Sequence, residues 1–169
     1  RLRMGSVTNE PAPPDTSQAD EGPPPYNPAR VGSVAKRVDI RDVQLVHAHF
    51  EREDDDAIPH DSLTRRVAEP EVMVELEHAT SPDGLQLHYL VRFGTVADES
   101  PSFRVYAFFR LSYELEEGDP LTDEQLEQFG YWNVVFNAWP YFREYVSSTA
   151  NRAGLPRLTL PVMRVPRTS

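Results

Sequence analysis

The sequence predicts an α+β fold: a four-stranded antiparallel sheet, a meander with a long first connection, packed with one long proline-kinked helix and a short extended C-terminal segment. Three observations carry this. Apolar side chains alternate with period two in four stretches between residues 43 and 115, the pattern of half-buried strands. The links joining the second, third and fourth stretches are too short for the crossover that a parallel pair requires, so those strands run antiparallel. Beyond Leu121 the apolar period becomes helical and holds to Ala153.

The first strand, VQLVHAHFE (43–51), alternates with a phase slip at Leu45-Val46, which predicts a β-bulge. In EVMVELEHA (71–79), Val72, Val74 and Leu76 share a face. Thr80 to Gly84 is a turn with Pro followed by Asp-Gly, the residues that fix turn geometry. LQLHYLVRFGTV (85–96) follows, with Leu85, Leu87, Tyr89, Val91 and Phe93 in phase. The last strand, FRVYAFFRLSYEL (103–115), sets Phe103, Val105, Ala107, Phe109, Leu111, Tyr113 and Leu115 on one face. Its opposite face holds Arg104, Tyr106, Phe108, Arg110 and Ser112, two aromatics where a solvated face wants none. That pattern predicts a second contact surface.

Thr122 with Gln125 three residues on forms a capping box, and Asp123 and Glu124 suit the positive end of the helix dipole. Gly154 is placed to end the helix and Pro156 to prevent its continuation. Regular 3.6-residue spacing sets Phe129, Trp132, Phe136 and Trp139 on one stripe and Val135, Ala138, Phe142 and Tyr145 on its neighbour. This apolar arc is wider than one sheet face covers. Pro140 interrupts the pattern, removing a hydrogen bond and clashing with the Phe136 carbonyl at about 3 kcal/mol. The expected return is a bend that lets Trp139, Tyr141 and Phe142 serve a different neighbour from Phe129 and Trp132. RLTLPVMRV (157–165) closes as an extended apolar segment.

The 169 residues suffice for one domain. Residues 1–31 are read as a disordered, acidic, proline-rich tail, because too little apolar surface is present to offset chain entropy; residues 32–169 form the domain. The run PPPY (23–26) reads as a stiff tail or as a ligand for an aromatic groove. The acidic link EREDDDAIPHDSLTRR (51–66) reads as a mobile, solvated connection.

A net charge of −10 argues against nucleic acid or an anionic membrane as partner, since both require clustered cations. The absence of cysteine excludes a disulfide framework and fits a reducing compartment. With no apolar run of membrane length and no leader pattern, the expectation is a cytoplasmic protein. His47 and His49 share a strand face, either half a metal site or two surface imidazoles. No further ligand is fixed by spacing, so no metal and no cofactor is expected. Ser147 and Ser148 lack a nucleophile elbow, and no phosphate loop occurs. The chain is not expected to be an enzyme.

Pro140-Tyr141-x-Arg143-Glu144-x-Val146, followed by Arg152, Gly154, Pro156, Leu158, Leu160 and Pro161, resembles the C-terminal half of SecB, the bacterial export chaperone. The order of elements from residue 38 to 163 is similar as well. The resemblance implies a homotetramer built as a dimer of dimers, with helices sandwiched between sheets. It implies an ATP-independent holdase that wraps unfolded, extended clients around apolar grooves. On it, Tyr106, Phe108, Trp132, Phe136, Trp139, Pro140, Tyr141 and Phe142 are the expected client-binding or subunit-interface residues. SecB holds its motor SecA through acids on the sheet, and the strand from Phe103 to Tyr113 has none, which argues against SecA as a partner. The acidic helix start and the long head look more like the SecB-like chaperones that guard antitoxins. The alternative is therefore a dedicated adaptor for one peptide, such as an antitoxin segment.

Overall fold

A computed structural model gives the fold and describes residues 24–53, 71–97, 102–155 and 160–163. Helix α1 (Pro28–Ala35) precedes strands β1 (Val38–Glu53), β2 (Glu71–Thr80), β3 (Gln86–Ala97) and β4 (Ser102–Leu115). A helical stretch follows in three parts: α2 (Asp123–Phe129), a π turn (Gly130–Val134) and α3 (Val135–Arg152). The strands form one antiparallel sheet in the order β1-β4-β3-β2. The α+β class stands. β2, β3 and β4 make the meander, whereas β1 lies beside β4, on the far edge from β2.

The period-two pattern of β4 is realised in full. Phe103, Val105, Ala107, Phe109, Leu111, Tyr113 and Leu115 are buried, as are Leu87, Tyr89, Val91 and Phe93 of β3. The helix packs onto this inner face. Phe142 stacks on Phe93 at 4.8 Å and Trp139 meets the same ring edge-on at 5.6 Å. Phe129 contacts Tyr89 and Tyr113, and the Tyr89 hydroxyl donates to the Leu126 carbonyl at 2.8 Å. The bulge expected at Leu45-Val46 is present, and a second lies between Ile40 and Asp42. Each inserts an unpaired residue and tightens the twist of the edge strand.

The capping box forms as expected, with Thr122 and Gln125 satisfying each other's backbone N–H groups. At the other end Gly154 has φ +69, with Leu155 N–H bonded to the Ala150 carbonyl and Gly154 N–H to that of Asn151. These are the two bonds of a Schellman motif. Arg52 of β1 also donates to the Ala153 carbonyl at 2.7 Å, a cation at the negative end of the helix.

Two expectations need correction. The boundary drawn at residue 31 falls inside α1: Asn27 caps that helix, Val31 and Val34 are buried, and residues 24–27 lie against α2. Two valines and a capping asparagine suffice to order the segment, because α2 supplies their partners. Residues 51–53 of the acidic link belong to β1, and the rest of the link and residues 1–23 lie outside the described residues.

The second correction concerns the helix stripe. Phe136 is exposed, although regular spacing groups it with buried Phe129 and Trp139. The cause is the π turn, where the Val135 N–H bonds back to Gly130 and one extra residue enters the turn. Burial after it restarts cleanly at Val135, Ala138, Trp139, Phe142, Val146 and Ala150. Gly130 sits where the helix lies close against the sheet. A Cβ there would lie 2.3 Å from Leu76 Cδ2 and 2.8 Å from Tyr89 Cε1. The helix runs on through Pro140, whose exposed ring faces away from the core.

Candidate functional site

Strand register divides the sheet into two unlike faces. On the outer face, four cross-strand rows follow one another: Met73–Gly94–Tyr106–His49, Glu75–Arg92–Phe108–His47, Glu77–Leu90–Arg110–Gln44 and Ala79–His88–Ser112–Asp42. Tyr106 lies across Gly94, whose missing side chain leaves room for the ring: a Cβ would meet Tyr106 Cδ1 at 3.2 Å and Met73 Cε at 3.0 Å. Phe108 is half-buried between His47, with ring centroids 5.2 Å apart, and the Arg92 guanidinium, 5.6 Å from its centroid. Arg92 in turn pairs with Glu75 at 3.3 Å and Glu77 at 2.7 Å. Phe108 is thus flanked by Arg92 and His47 and Tyr106 fills the space left at Gly94, and both rings stay partly exposed.

Beside them the last two rows form a concave groove of about 560 Å³, lined by Val46, Glu77, His88, Leu90, Arg110 and Ser112 among others. His88 Nδ1 and Ser112 Oγ are 3.1 Å apart across its floor. Val46, Ala79 and Leu90 give it apolar wall, and Asp42, Gln44, Glu77 and Arg110 give it polar and charged groups that could orient a ligand.

The inner face is dry where the helix covers it and bare where the helix stops. Along the row Leu76–Val91–Phe109–Leu45, exposure rises from 0% at Val91 and 3% at Phe109 to 47% at Leu45. Two inner-face rows over, Leu87 and Tyr113 are buried while Ile40 is 48% exposed. Tyr141, 51% exposed, contacts the Phe109 ring, and Asn137, beside exposed Phe136, donates to the Tyr113 hydroxyl. Ile40 and Leu45 of β1 and Phe136 and Tyr141 of α3 are thus exposed apolar residues at the uncovered margin of the inner face, with half-buried Val43 between the first two. Isolated exposed apolar residues are ordinary; several along one margin mark a contact surface.

The residues expected at the site separate accordingly. Tyr106 and Phe108 are half-buried on the outer face. Phe136, Pro140 and Tyr141 are exposed on the helix. Trp139 and Phe142 are not surface groups, being 5% and 0% exposed, because Phe93 draws both rings inward. Trp139 also donates its indole N–H to the Pro161 carbonyl at 3.0 Å, and Arg143 Nε donates to Leu160 at 3.0 Å. These two bonds tie down the extended segment at 160–163. Trp132 is half-buried beneath the chain's own N-terminal segment.

Sequence reasoning missed Ile40, Leu45 and Arg92. The first two are apolar at positions that alternation assigns inward, and only helix placement leaves them bare. Nothing local announces that Arg92 bridges two acids and an aromatic ring. Burial pushes the Tyr113 phenol up to about 12, opposed by the hydrogen bond from Asn137, and raises that of Tyr131. Among the described residues no three or more His, Asp or Glu gather where they would hold a metal ion. Among them also, no helix is long and apolar enough to cross a membrane.

No protein-family profile and no curated protein sequence matches the chain. Solved structures do. The SecB-like chaperone of Mycobacterium tuberculosis, in complex with a ChAD peptide from the HigA1 antitoxin, superposes with a TM-score of 0.62 at 21% identity. The match covers 81% of this chain and 95% of that one. A protein of unknown function from Streptococcus agalactiae is more distant, with a TM-score of 0.43 and 10% identity over 73% of this chain and 96% of that one. From the sheet, the long helix and the first of these matches, the conclusion is that this chain has the fold of a SecB-like chaperone.

Proposed function

We propose that the protein is an ATP-independent, non-enzymatic chaperone of the cytoplasm that holds extended, unfolded segments of other proteins. The observation that carries this reading is the open aromatic row on the outer face, Phe108 clamped by Arg92 and His47 beside the groove around Leu90 and Arg110. A passive holdase must prefer the unfolded state of its client, which requires apolar surface that stays available. Net charge of −10 keeps such a surface from associating indiscriminately. The second apolar surface, Ile40 and Leu45 with Phe136 and Tyr141, is assigned to subunit contact in a homotetramer. Burying it there leaves the outer face for clients.

The structural neighbour was solved holding an antitoxin peptide, which favours a second reading: an adaptor dedicated to one antitoxin segment. The two separate on a peptide array. Broad binding to aromatic and apolar segments supports the holdase, and a single tight motif supports the adaptor. The primary test is suppression of aggregation of a chemically denatured substrate at one tetramer per substrate. Failure by the purified protein, with native mass confirming assembly, overturns the holdase.

A further inference from the structure

Three side chains on successive turns of the helix donate to the segment that precedes β1. Gln125 Nε2 donates to Ser33 Oγ at 3.0 Å, Gln128 Nε2 to the Pro25 carbonyl at 3.0 Å, and Trp132 Nε1 to the Pro24 carbonyl at 3.1 Å. Gln128 also accepts from the Asn27 N–H at 3.1 Å, and Tyr26 meets Trp132 edge-on with centroids 5.4 Å apart. Tyr131 flanks Trp132 at 5.8 Å. Pro24, Pro25 and Tyr26 belong to the run PPPY.

What this patch recognises is generic. It offers an indole N–H and a carboxamide N–H to two consecutive prolyl carbonyls, and a ring to the tyrosine that follows. Proline-rich segments present outward carbonyls on a stiff extended backbone with little entropy to lose, and aromatic-lined surfaces capture them in this way. The patch reads backbone carbonyls and one ring, so its resident is replaceable by any segment of like chemistry. Pro25 is exposed and Pro24 and Tyr26 are only half-buried, so the resident lies on the surface and not in the core.

We propose that Gln128, Tyr131 and Trp132 form a docking surface for a proline-rich, tyrosine-bearing extended segment of another protein, and that Pro24 to Tyr26 occupy it in cis as a competing strap. The surface is built on the opposite side of the helix–sheet core from the outer-face row, and this inference does not depend on the client surface assigned above. A tethered segment competes at an effective concentration on the order of millimolar. Its release therefore raises the apparent affinity for a segment in trans about tenfold or more.

The test uses the full chain and a fluorescent peptide of sequence GPPPYNP. A strap variant, Pro24→Gly with Pro25→Gly and Tyr26→Ala, loosens the backbone and removes the ring without touching the helix. It is expected to bind the peptide about tenfold more tightly than the unaltered chain. Adding Trp132→Phe, which keeps an aromatic ring and removes the N–H, is expected to reverse that gain. The chain has two tryptophans, and only the indole N–H resonance of Trp132 should shift on peptide addition. Equal binding by both chains, or a gain insensitive to Trp132→Phe, overturns the proposal. A concentration-dependent increase in mass that the strap variant abolishes also overturns it, since the occupant is then a second copy's arm. A separate variant reads the holdase: Phe108→Ala should largely remove protection of a denatured client from aggregation and leave peptide binding intact.

Discussion

The two faces of the sheet spend aromatic side chains in opposite ways. On the inner face Phe93 gathers Trp139 and Phe142 into a sealed cluster, and Tyr89, Tyr113 and Phe129 form another. On the outer face Tyr106 and Phe108 stand half-open, supported by a glycine, an arginine and a histidine. Sealed rings gain burial and specify the fold. Open rings, held in orientation by their strand neighbours, remain available to a partner. Stability and binding are therefore separable in this molecule, and mutation should separate them.

The largest effect is expected at Trp139. Trp139→Ala should destabilise the protein by about 3–5 kcal/mol through lost transfer energy and a residual cavity, and should free the segment at 160–163. Urea denaturation with limited proteolysis checks both. Next comes alkaline pH. The Tyr113 phenol ionises at 10.0 when unfolded and near 12 when folded, so the native state retains a proton that the unfolded chain has lost. The stability is fully present below pH 10 and falls between pH 10 and 12 by about 3 kcal/mol; Tyr89 is shifted in the same direction. Tyr113→Phe should flatten that decline in urea melts at pH 9 and 11.

Gly130→Ala should cost about 1–3 kcal/mol, because its methyl group has no room against Leu76 and Tyr89. The smallest stability change belongs to the outer face. Phe108→Ala should cost about 1 kcal/mol, the scale of an exposed cation–π contact, yet largely remove protection of a denatured client from aggregation. If Phe108→Ala unfolds the protein as readily as Trp139→Ala, the contrast between the faces collapses. If it does neither, the client row lies elsewhere.

Much of the fold was legible because it is written in local order. The alternation from Phe103 to Leu115, the capping box at Thr122 and Gln125, and the glycine at 154 each depend on residues close in sequence. The bulge at Val46 was legible as a slip of phase, whereas the second, between Ile40 and Asp42, falls ahead of the stretch read as the strand. The candidate surface was half legible. Phe108 and Tyr106 betray themselves as aromatics on the wrong parity, whereas Trp139 and Phe142 look the same in sequence as exposed Phe136 and Tyr141.

By itself the sequence determined the α+β class, the antiparallel hairpins, the ends of the helix and the excess of apolar surface. These follow from periodicity, turn chemistry and capping, all of which act within a few residues. Only the tertiary structure decided that β1 joins β4, that the helix leaves Ile40 and Leu45 of β1 bare, and that an extra residue in the π turn turns Phe136 outward. It also decided that Trp132 holds Pro24 and Trp139 holds Pro161. Such choices depend on contacts between residues far apart in the chain. Where each aromatic comes to rest is set by which neighbour the fold brings to it.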